Sequence, residues 1–333
     1  MNDPQNVITD RTPTDANLTN VPGFRVVGLP GAFTAWGVNC VQHILTSNSY
    51  PTTPVQSDTN YGVCVLFGQG SMIMDTGSVT LERLRTIIFL DGPTRAVQEL
   101  QSSGYDAIDA VRMLTATLAS LAAVLREEGV LLVQRTPTMD LSAMQSAIAS
   151  HLSIALSGPL EMMPNVAEID TSASLPPLSG QALTLTRQVL MPLADFVTGV
   201  AHAKIVWPLA SFYSGDYPNE LASPLMDMAG PARTLYYGPY FHLPSGHWRA
   251  DVQFVVMGSM PDQMLAVDVF SSLELARRPF KLSGDGLFQV SLPFIVDRTE
   301  ERIEIRVWLL SGALGGLFGL RQVDLHPMEA GRP

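Results

Sequence analysis

The sequence predicts an α/β unit with a parallel sheet, followed in the same chain by an antiparallel β-sandwich. Between residues 24 and 155, short apolar runs alternate with amphipathic helical patterns, which is the order of a parallel sheet with crossover helices. From about Tyr236 to Leu325, apolar residues recur at period two between turn residues, which is typical of an antiparallel sandwich. The length of 333 residues suits about two domains.

The first half opens with a strand, a glycine-bearing loop and a helix, the order found at the start of many nucleotide-binding α/β folds. The pattern predicts a short buried strand at 24–30, a loop that runs to Gly37, and a helix through Val41 and Leu45. Further apolar runs between turn residues predict strands at 61–67, 86–90 and 130–133.

Two helices are predicted from their capping residues and from the spacing of their apolar residues. Asp106 is a candidate N-cap, and Asp109 stands three residues later in the capping-box position. This helix ends before Gly129, and Asp140 is the candidate N-cap of the next one. Their predicted buried faces consist of Val111, Leu114, Leu118, Leu121 and Leu125, and of Leu141, Met144, Ile148 and Leu152.

Composition divides the chain into four segments. The polar N-terminus has the composition of a disordered tail, and Pro, Ser and Gly are frequent in a stretch that is typical of a linker. A helical pattern at 181–200 then bridges the two halves. The predicted segments are a tail at 1–20, an α/β domain at 21–156, a linker with the bridging helix at 157–205, and a β-sandwich at 206–328.

Four strands of the sandwich are predicted from alternation alone. Because successive side chains of a strand point to opposite faces, we expect one set of alternate residues to fill the core between two sheets. The inward sets are Val252/Phe254/Val256, Leu265/Val267/Val269, Phe288/Val290/Leu292/Phe294 and Ile303/Ile305/Val307/Leu309.

Composition and motifs also exclude classes of function. The formal net charge is -11 and no Lys/Arg cluster occurs, which argues against nucleic acid or anionic membranes as partners. Cys40 and Cys64 are too few for a disulfide framework and are expected to be buried thiols. We expect no metal, because the motifs that hold one are missing. Without a signal-peptide pattern or a long apolar run, a cytoplasmic protein with no membrane span is expected.

The loop after the first strand could serve an anion, because a glycine-rich turn aims backbone N–H groups and a helix N-terminus at one point. A Walker loop continues with a lysine, but Val38 follows Gly37, and the first lysine of the chain is Lys204. The sequence therefore argues against a Walker-type NTPase.

The same region resembles the sulfotransferase branch of the P-loop fold. Residues 30–34 fall where a Pro-Arg-Ser-Gly-Thr-type loop of that family cradles the 5′-phosphosulfate end of activated sulfate. Residues 87–97 look like its strand-to-helix motif for the 3′-phosphate, and 130–152 are similar to its late strand and helix. If the domain is active, the resemblance implies phosphoadenosine phosphosulfate as the donor; otherwise no cofactor is expected.

The chain departs from that family at the charged positions. The family's cationic loop residue matches Gly31, and its serine falls near Glu99. A carboxylate about 4 Å from a phosphate costs roughly 4 kcal/mol at an effective dielectric near 20. We therefore expect a degenerate, non-catalytic domain, and the alternative for this loop is simply a tight turn. The anion contacts that remain as candidates are Gly31, Thr34, Gly37 and Arg95.

Residues 207–249 are rich in aromatic side chains. Within them, Gly238-Pro239-Tyr240 followed by Leu243-Pro244-x-Gly246-x-Trp248 resembles the opening hairpin of jelly-roll, carbohydrate-binding-like modules in bacterial polysaccharide proteins, and 319–327 looks like their closing strand. Sugar binding needs flat aromatic faces and planar polar groups. The alternative is that alternate aromatics fill the core. The candidate sugar contacts are Asp216, Tyr237, Tyr240, His242, His247, Trp248 and Trp308.

Trp308 is the candidate that the alternation places best for a ligand. It is out of phase with the apolar set of its strand and shares a face with Arg302, Glu304 and Arg306. The same face could instead contact a protein.

Three hypotheses follow. The first is a non-catalytic protein with a glycan-binding module that assists bacterial surface-polysaccharide assembly, with a glycan or assembly proteins as partners. The second is an active sulfo- or other group transferase with altered donor-binding residues. The third is a structural component that forms a homo-oligomer. The sequence assigns no catalytic residue.

Overall fold

The computed structural model describes residues 24–48, 53–57, 63–68, 85–135, 141–154, 175–200, 204–259 and 262–328, with the backbone alone described at 53–57, at 63–68 and at Leu141. The predicted tail at 1–20 and the predicted N-cap Asp140 lie outside the described residues. Both predicted fold classes are confirmed, since an α/β unit precedes an antiparallel sandwich.

The α/β unit is built on a five-stranded sheet in the order β2-β3-β1-β4-β5. Strand β1 is parallel to β4, and β4 is parallel to β5, which confirms the predicted parallel sheet for these three strands. Strand β3 differs, because it forms a hairpin pair with β2 and runs antiparallel to β1. The strands are β1 (Phe24–Gly28), β2 (Thr53–Ser57), β3 (Val63–Gly68), β4 (Arg85–Leu90) and β5 (Val130–Gln134).

Helices cover this sheet: α1 (Ala32–Ser47), α2 (Pro93–Ser102), α3 (Ala107–Val124) and α4 (Leu141–Leu152). Helix α1 lies close to β4, since a Cβ added at Gly37 would stand 2.5 Å from the ring of Phe89. Phe33 and Trp36 meet the same ring edge-on at centroid distances of 5.6 and 6.2 Å. Cys40 is buried beside them, as predicted, and burial raises the pKa of its thiol to about 12.

Helix α3 begins at the predicted N-cap, where the Asp106 carboxylate accepts a hydrogen bond of 2.8 Å from the Asp109 amide. The Asp109 side chain does not close a capping box but pairs with Arg112 at 3.0 Å. By length and composition α3 could cross a membrane, yet 61% of it is buried inside the protein, which is the environment of a core helix. Its apolar face joins the hydrophobic core of the sandwich, with Leu114 and Trp207 in one cluster.

The predicted bridging helix is present, in three parts. Helix α5 (Gly180–Leu185) continues through a π-helical turn at Thr186–Leu190 into α6 (Met191–Val197). Pro192 explains the wider turn, because proline has no N–H to donate and its ring clashes with the carbonyl four residues earlier.

The sandwich consists of two antiparallel sheets. The front sheet has the order β13-β12-β15-β9-β7, with β10 on β15, and the back sheet has the order β14-β11-β16-β6, with β8 on β16. Its strands are β6 (Ile205–Pro208), β7 (Tyr213–Ser214), β8 (Met226–Asp227), β9 (Arg233–Tyr237), β10 (Pro239–Phe241), β11 (Gly246–Met257), β12 (Met264–Phe270), β13 (Glu274–Lys281), β14 (Gly286–Val296), β15 (Ile303–Leu309) and β16 (Leu317–Met328).

The predicted inward sets of β11, β12 and β15 are fully or almost fully buried, and so are those of β14 apart from Phe288, which packs half-buried at the margin of the core. The core therefore lies between the two sheets and continues onto α3, α5 and α6.

Candidate functional site

The loop between β1 and α1 is folded around its own side chains. The Thr34 hydroxyl is buried and donates to the carbonyl oxygen of Leu29 at 2.5 Å. At Gly31 the backbone has a φ of 152°, a conformation that favours glycine. A Cβ there would stand 2.3 Å from a carboxylate oxygen of Glu99. Glycine is needed here because Glu99 approaches the backbone so closely.

A carboxylate of the protein occupies the helix N-terminus where the sequence predicted an anion. The amide of Ala32, the first residue of α1, donates to Glu99 Oε2 at 2.7 Å. Arg95 holds the other oxygen, Oε1, at 2.9 Å and also contacts Asp91 at 3.3 Å. Burial raises the pKa of Asp91, although Arg95 and Arg135 oppose that shift. Of the four predicted anion contacts, Thr34 and Arg95 thus have partners within the protein, Gly31 makes room for Glu99, and Gly37 packs on β4.

A polar cluster around a buried carboxylate lies on the outward face of the front sheet. Asp268 on β12 is fully buried and accepts two hydrogen bonds from Arg306 on β15, at 2.8 Å from Nε and 3.1 Å from Nη2. Trp308 donates its indole Nε1–H to the same carboxylate at 2.8 Å. The register explains this meeting, because Asp268 is paired with Arg306 across the two strands.

Aromatic rings flank the Arg306 guanidinium on two sides. Its central carbon lies 4.0 Å from the ring centroid of Phe270 and 5.2 Å from that of Trp308. Both rings are half-buried, so part of each remains open to solvent. Among the described residues, Nη1 of Arg306 has no hydrogen-bond partner. We call Phe270, Arg306 and Trp308, with Asp268 beneath them, the front platform.

An open depression of about 380 Å³ adjoins the front platform at Phe270. In the wall of the depression, the Tyr240 hydroxyl donates a hydrogen bond of 3.1 Å to Glu304 Oε1. Burial raises the pKa of the Glu304 carboxyl. Ser271 donates to Glu301 at 2.8 Å. The depression is lined by Tyr240, Phe270, Ser271, Ser272, Glu300, Glu301, Arg302 and Glu304.

Helix α3 braces the Tyr240 side of the depression. Arg112 donates from Nε to the carbonyl oxygen of Pro239 at 3.1 Å and from Nη2 to the Tyr213 hydroxyl at 2.8 Å. Its guanidinium lies 5.4 Å from the ring centroids of both Tyr213 and Tyr240. Tyr240 has a φ of 68°, which is uncommon for a bulky residue and depends on such support. The α/β unit therefore positions a wall residue of the sandwich.

The structure separates the seven predicted sugar contacts. Trp308, Tyr240 and Tyr237 lie on the front side, where the rings of Tyr237 and Tyr240 meet at 6.2 Å. Trp308 is on the outward face with Glu304 and Arg306, as predicted. Of the remaining four, Trp248 and His242 are buried, Asp216 pairs with Arg233 of β9 at 2.6 Å, and His247 is exposed on the back sheet.

Sequence reasoning missed Asp268, Phe270 and Arg112. A signal existed for the first two, because they are out of phase with the inward residues of β12 and stand beside β15 in the register. The burial of Trp248 was also visible, since Trp248 has the same phase as Val252 and Phe254. Nothing in the sequence pointed to the role of Arg112, because its partners in the sandwich lie more than a hundred residues away.

The buried imidazole of His242 predicts acid sensitivity. Its Nδ1–H donates to the Thr299 carbonyl at 3.1 Å, and burial lowers its pKa from 6.5. The unfolded chain takes up this proton more readily, so His242 contributes its full stability above about pH 6.5 and loses it as the pH falls. We expect the urea concentration at the midpoint of unfolding to fall as the pH is lowered. In the His242→Asn variant, this midpoint should depend less on pH. Burial also lowers the pKa of His151, so part of the pH dependence of stability remains in the His242→Asn variant. An equal effect of His247→Gln, an exposed control, would contradict this.

Among the residues that the structure describes, no three His, Cys, Asp or Glu side chains are grouped so that they could hold a metal ion. The front platform can instead bind a ligand through van der Waals contacts and hydrogen bonds. It offers aromatic surface, a fixed guanidinium with an unused donor, and hydroxyl and carboxylate groups in the adjoining depression. These groups suit a ligand with an apolar face and hydroxyls at its rim.

No family model and no curated protein matches the chain. Among solved structures, the carbohydrate-binding module TmCBM61 in complex with β-1,4-galactotriose is 14% identical over 36% of this chain and 91% of that chain, with a TM-score of 0.26. The CBM36-1 domain of a multidomain xylanase from the hindgut metagenome of Trinervitermes trinervoides is 12% identical over 38% and 99%, with a TM-score of 0.27.

The insecticidal δ-endotoxin Cry8Ea1 from Bacillus thuringiensis is 13% identical over 38% of this chain, with a TM-score of 0.26. The chain spans only 24% of the length of that toxin. Each of the three similarities covers little more than a third of this chain, and no conclusion about a ligand follows from them.

Proposed function

We propose that this protein binds a glycan through the front platform of its sandwich. The observation that supports the proposal is the arrangement of Phe270, Arg306 and Trp308 over the buried carboxylate of Asp268. Asp268 accepts two guanidinium donors and the indole donor, so Arg306 and Trp308 are held in place before a ligand arrives, and Phe270 lies against the fixed guanidinium. Such preorganisation reduces the entropy lost on binding.

The chemistry of the front platform fits a pyranose. The apolar face of the sugar would lie on the Trp308 and Phe270 rings, and a ring hydroxyl would accept a hydrogen bond from Arg306 Nη1. The adjoining depression would take the next sugar unit, where serine hydroxyls and carboxylates exchange hydrogen bonds with its hydroxyls. The proposed ligand is therefore an oligosaccharide and not a single sugar.

The α/β unit, in this proposal, is a non-catalytic scaffold of the sulfotransferase-like type, and the protein assists the assembly of a surface polysaccharide. The contact between Glu99 and the Ala32 amide supports the first part, because a donor phosphate at this helix N-terminus would meet a carboxylate. The Arg112 contacts support a scaffold role, since they brace the Tyr240 wall of the depression.

The scaffold role predicts that nucleotides leave the melting temperature unchanged. A ligand present at 100 times its dissociation constant adds about 2.7 kcal/mol of stability, which is readily visible in a thermal scan. We expect no shift with millimolar phosphoadenosine phosphosulfate or adenosine bisphosphate. A shift in the wild type would revive the alternative of an active transferase, in particular if it were accompanied by sulfate transfer.

The glycan proposal is tested by calorimetric titration of the whole chain with neutral oligosaccharides, among them β-1,4-galactotriose, cellotriose and maltotriose. We expect at least one to bind, and Phe270→Ala to weaken that binding. Leu314→Ala is the control, because Leu314 is 87% exposed in the loop after β15 and lines neither the front platform nor the depression. Absence of binding at millimolar concentration, or an equal loss in both variants, would refute the proposal.

A further inference from the structure

The outward face of the back sheet carries a second polar cluster, apart from the front platform. Asp251 on β11 is paired with Asp324 on β16, so two carboxylates stand directly opposite each other. Their neighbours Ala250, Val252 and Val323 are buried in the core, which places both carboxylates on the outward face. Facing like charges destabilise a sheet, so this pair requires compensation.

Basic side chains of β11 and β16 supply that compensation, together with Lys204, which directly precedes β6. Arg249 contacts Asp251 Oδ2 at 3.0 Å, and His326 lies 3.3 Å from the same oxygen. Lys204 contacts Asp324 at 3.1 Å. The two carboxylates are thus balanced by the two permanent charges of Arg249 and Lys204. A further charged group is not needed here, so a ligand of this face would be neutral.

The compensation leaves hydrogen-bonding groups unused. Asp251 is 6% exposed, yet its Oδ1 atom has no hydrogen-bond partner among the described residues, and neither has the buried Nε of Arg249. Gln253 and Gln322 donate their amide N–H groups to Asp324 at 2.9 and 2.7 Å. The described residues provide no donor to their Oε1 atoms. Buried polar groups in folded proteins are nearly always satisfied, by protein, water or ligand.

We infer that this back face, formed by Arg249, Asp251, Gln253, Gln322, Asp324 and His326, is a second binding site, for a neutral polyhydroxylated ligand such as an oligosaccharide. A hydroxyl group both donates and accepts. Both unsatisfied atoms are covered in the structure, so a ligand would displace the half-exposed Arg249 side chain, and vicinal hydroxyls would then satisfy Asp251 Oδ1 and Arg249 Nε together. The planar amides and the guanidinium supply further partners for such a ligand. The inference does not depend on the front platform, since the two faces belong to different sheets.

The test follows side-chain NMR signals of the full chain during titration with β-1,4-galactotriose, cellotriose or maltotriose at millimolar concentration. The indole N–H of Trp308 reports on the front platform, and the amide NH₂ groups of Gln253 and Gln322 report on the back face. We expect the glutamine signals to shift with at least one sugar, in the wild type and in Trp308→Ala alike. A failure of the front platform would therefore be visible separately from a failure of the back face.

Two variants make the result specific. Arg249→Ala and Asp251→Ala should each lower the sugar affinity, as measured from the Gln253 and Gln322 signals, at least tenfold. Arg126 is an exposed arginine of the α/β unit, and Arg126→Ala should leave this affinity unchanged. The melting temperature shows whether each variant is folded, and the wild-type titration stands without them. Glutamine signals that do not move with any sugar would overturn the inference, and the unused atoms would then be met by water only. Signals that change with protein concentration but not with sugar would overturn it in favour of a contact between copies.

Discussion

Replacing Asp268 with alanine is expected to lower the free energy of unfolding by about 3–5 kcal/mol. Asp268 is fully buried and accepts three hydrogen bonds, two from Arg306 and one from Trp308. Without the carboxylate, the guanidinium, which is only 20% exposed, loses its directly paired counter-charge, and the more distant Glu304 is the carboxylate left near it. The indole N–H loses its acceptor at the same time. Urea denaturation at neutral pH measures the loss.

The matched control is the double variant Asp268→Leu with Arg306→Met. Replacing both members of a buried ion pair by apolar residues of similar volume is often neutral or stabilising, whereas removing one member is not. We therefore expect the double variant to regain most of the lost stability. An Asp268→Ala protein as stable as the wild type would show that the pair is open to water and that Arg306 is not fixed by it.

Replacing Trp308 with alanine is expected to weaken glycan binding by about 30-fold or more, because truncation of an aromatic anchor at the centre of a binding surface commonly costs at least 2 kcal/mol. The change removes the flat surface for the sugar and one of the two rings that flank Arg306. The unfolding energy should change much less than in Asp268→Ala, since the Arg306–Asp268 pair remains. Calorimetric titration with the oligosaccharide bound by the wild type gives the affinity.

Trp308→Phe separates the two roles of the indole. Phenylalanine keeps an aromatic face but cannot donate to Asp268, so we expect it to retain most of the affinity if stacking is the main contribution. A loss as large as in Trp308→Ala would show that the hydrogen bond at 2.8 Å to Asp268 matters more than the ring face. Unchanged binding in both variants would mean that the glycan is bound elsewhere.

The local sequence pattern determined much of this protein. The period-two alternation correctly predicted the core residues of β11, β12 and β15, and it placed Trp308 with Arg306 on the outward face. Asp106 marked the start of α3 because a short acidic side chain can accept from the orphan amides of a first helical turn. These features depend on residues within a few positions of one another, which is why the sequence alone shows them.

Only the tertiary structure decided which side chains meet. Glu99 reaches the Ala32 amide across 67 residues, and Arg112 reaches Pro239 across 127. Strand β3 runs antiparallel to β1, although its composition suits either direction. The register of β11 against β16 sets Asp251 opposite Asp324. Periodicity shows which face of an element is buried, but the partner depends on pairing, register and docking between distant segments. Both proposed binding faces arise at that level.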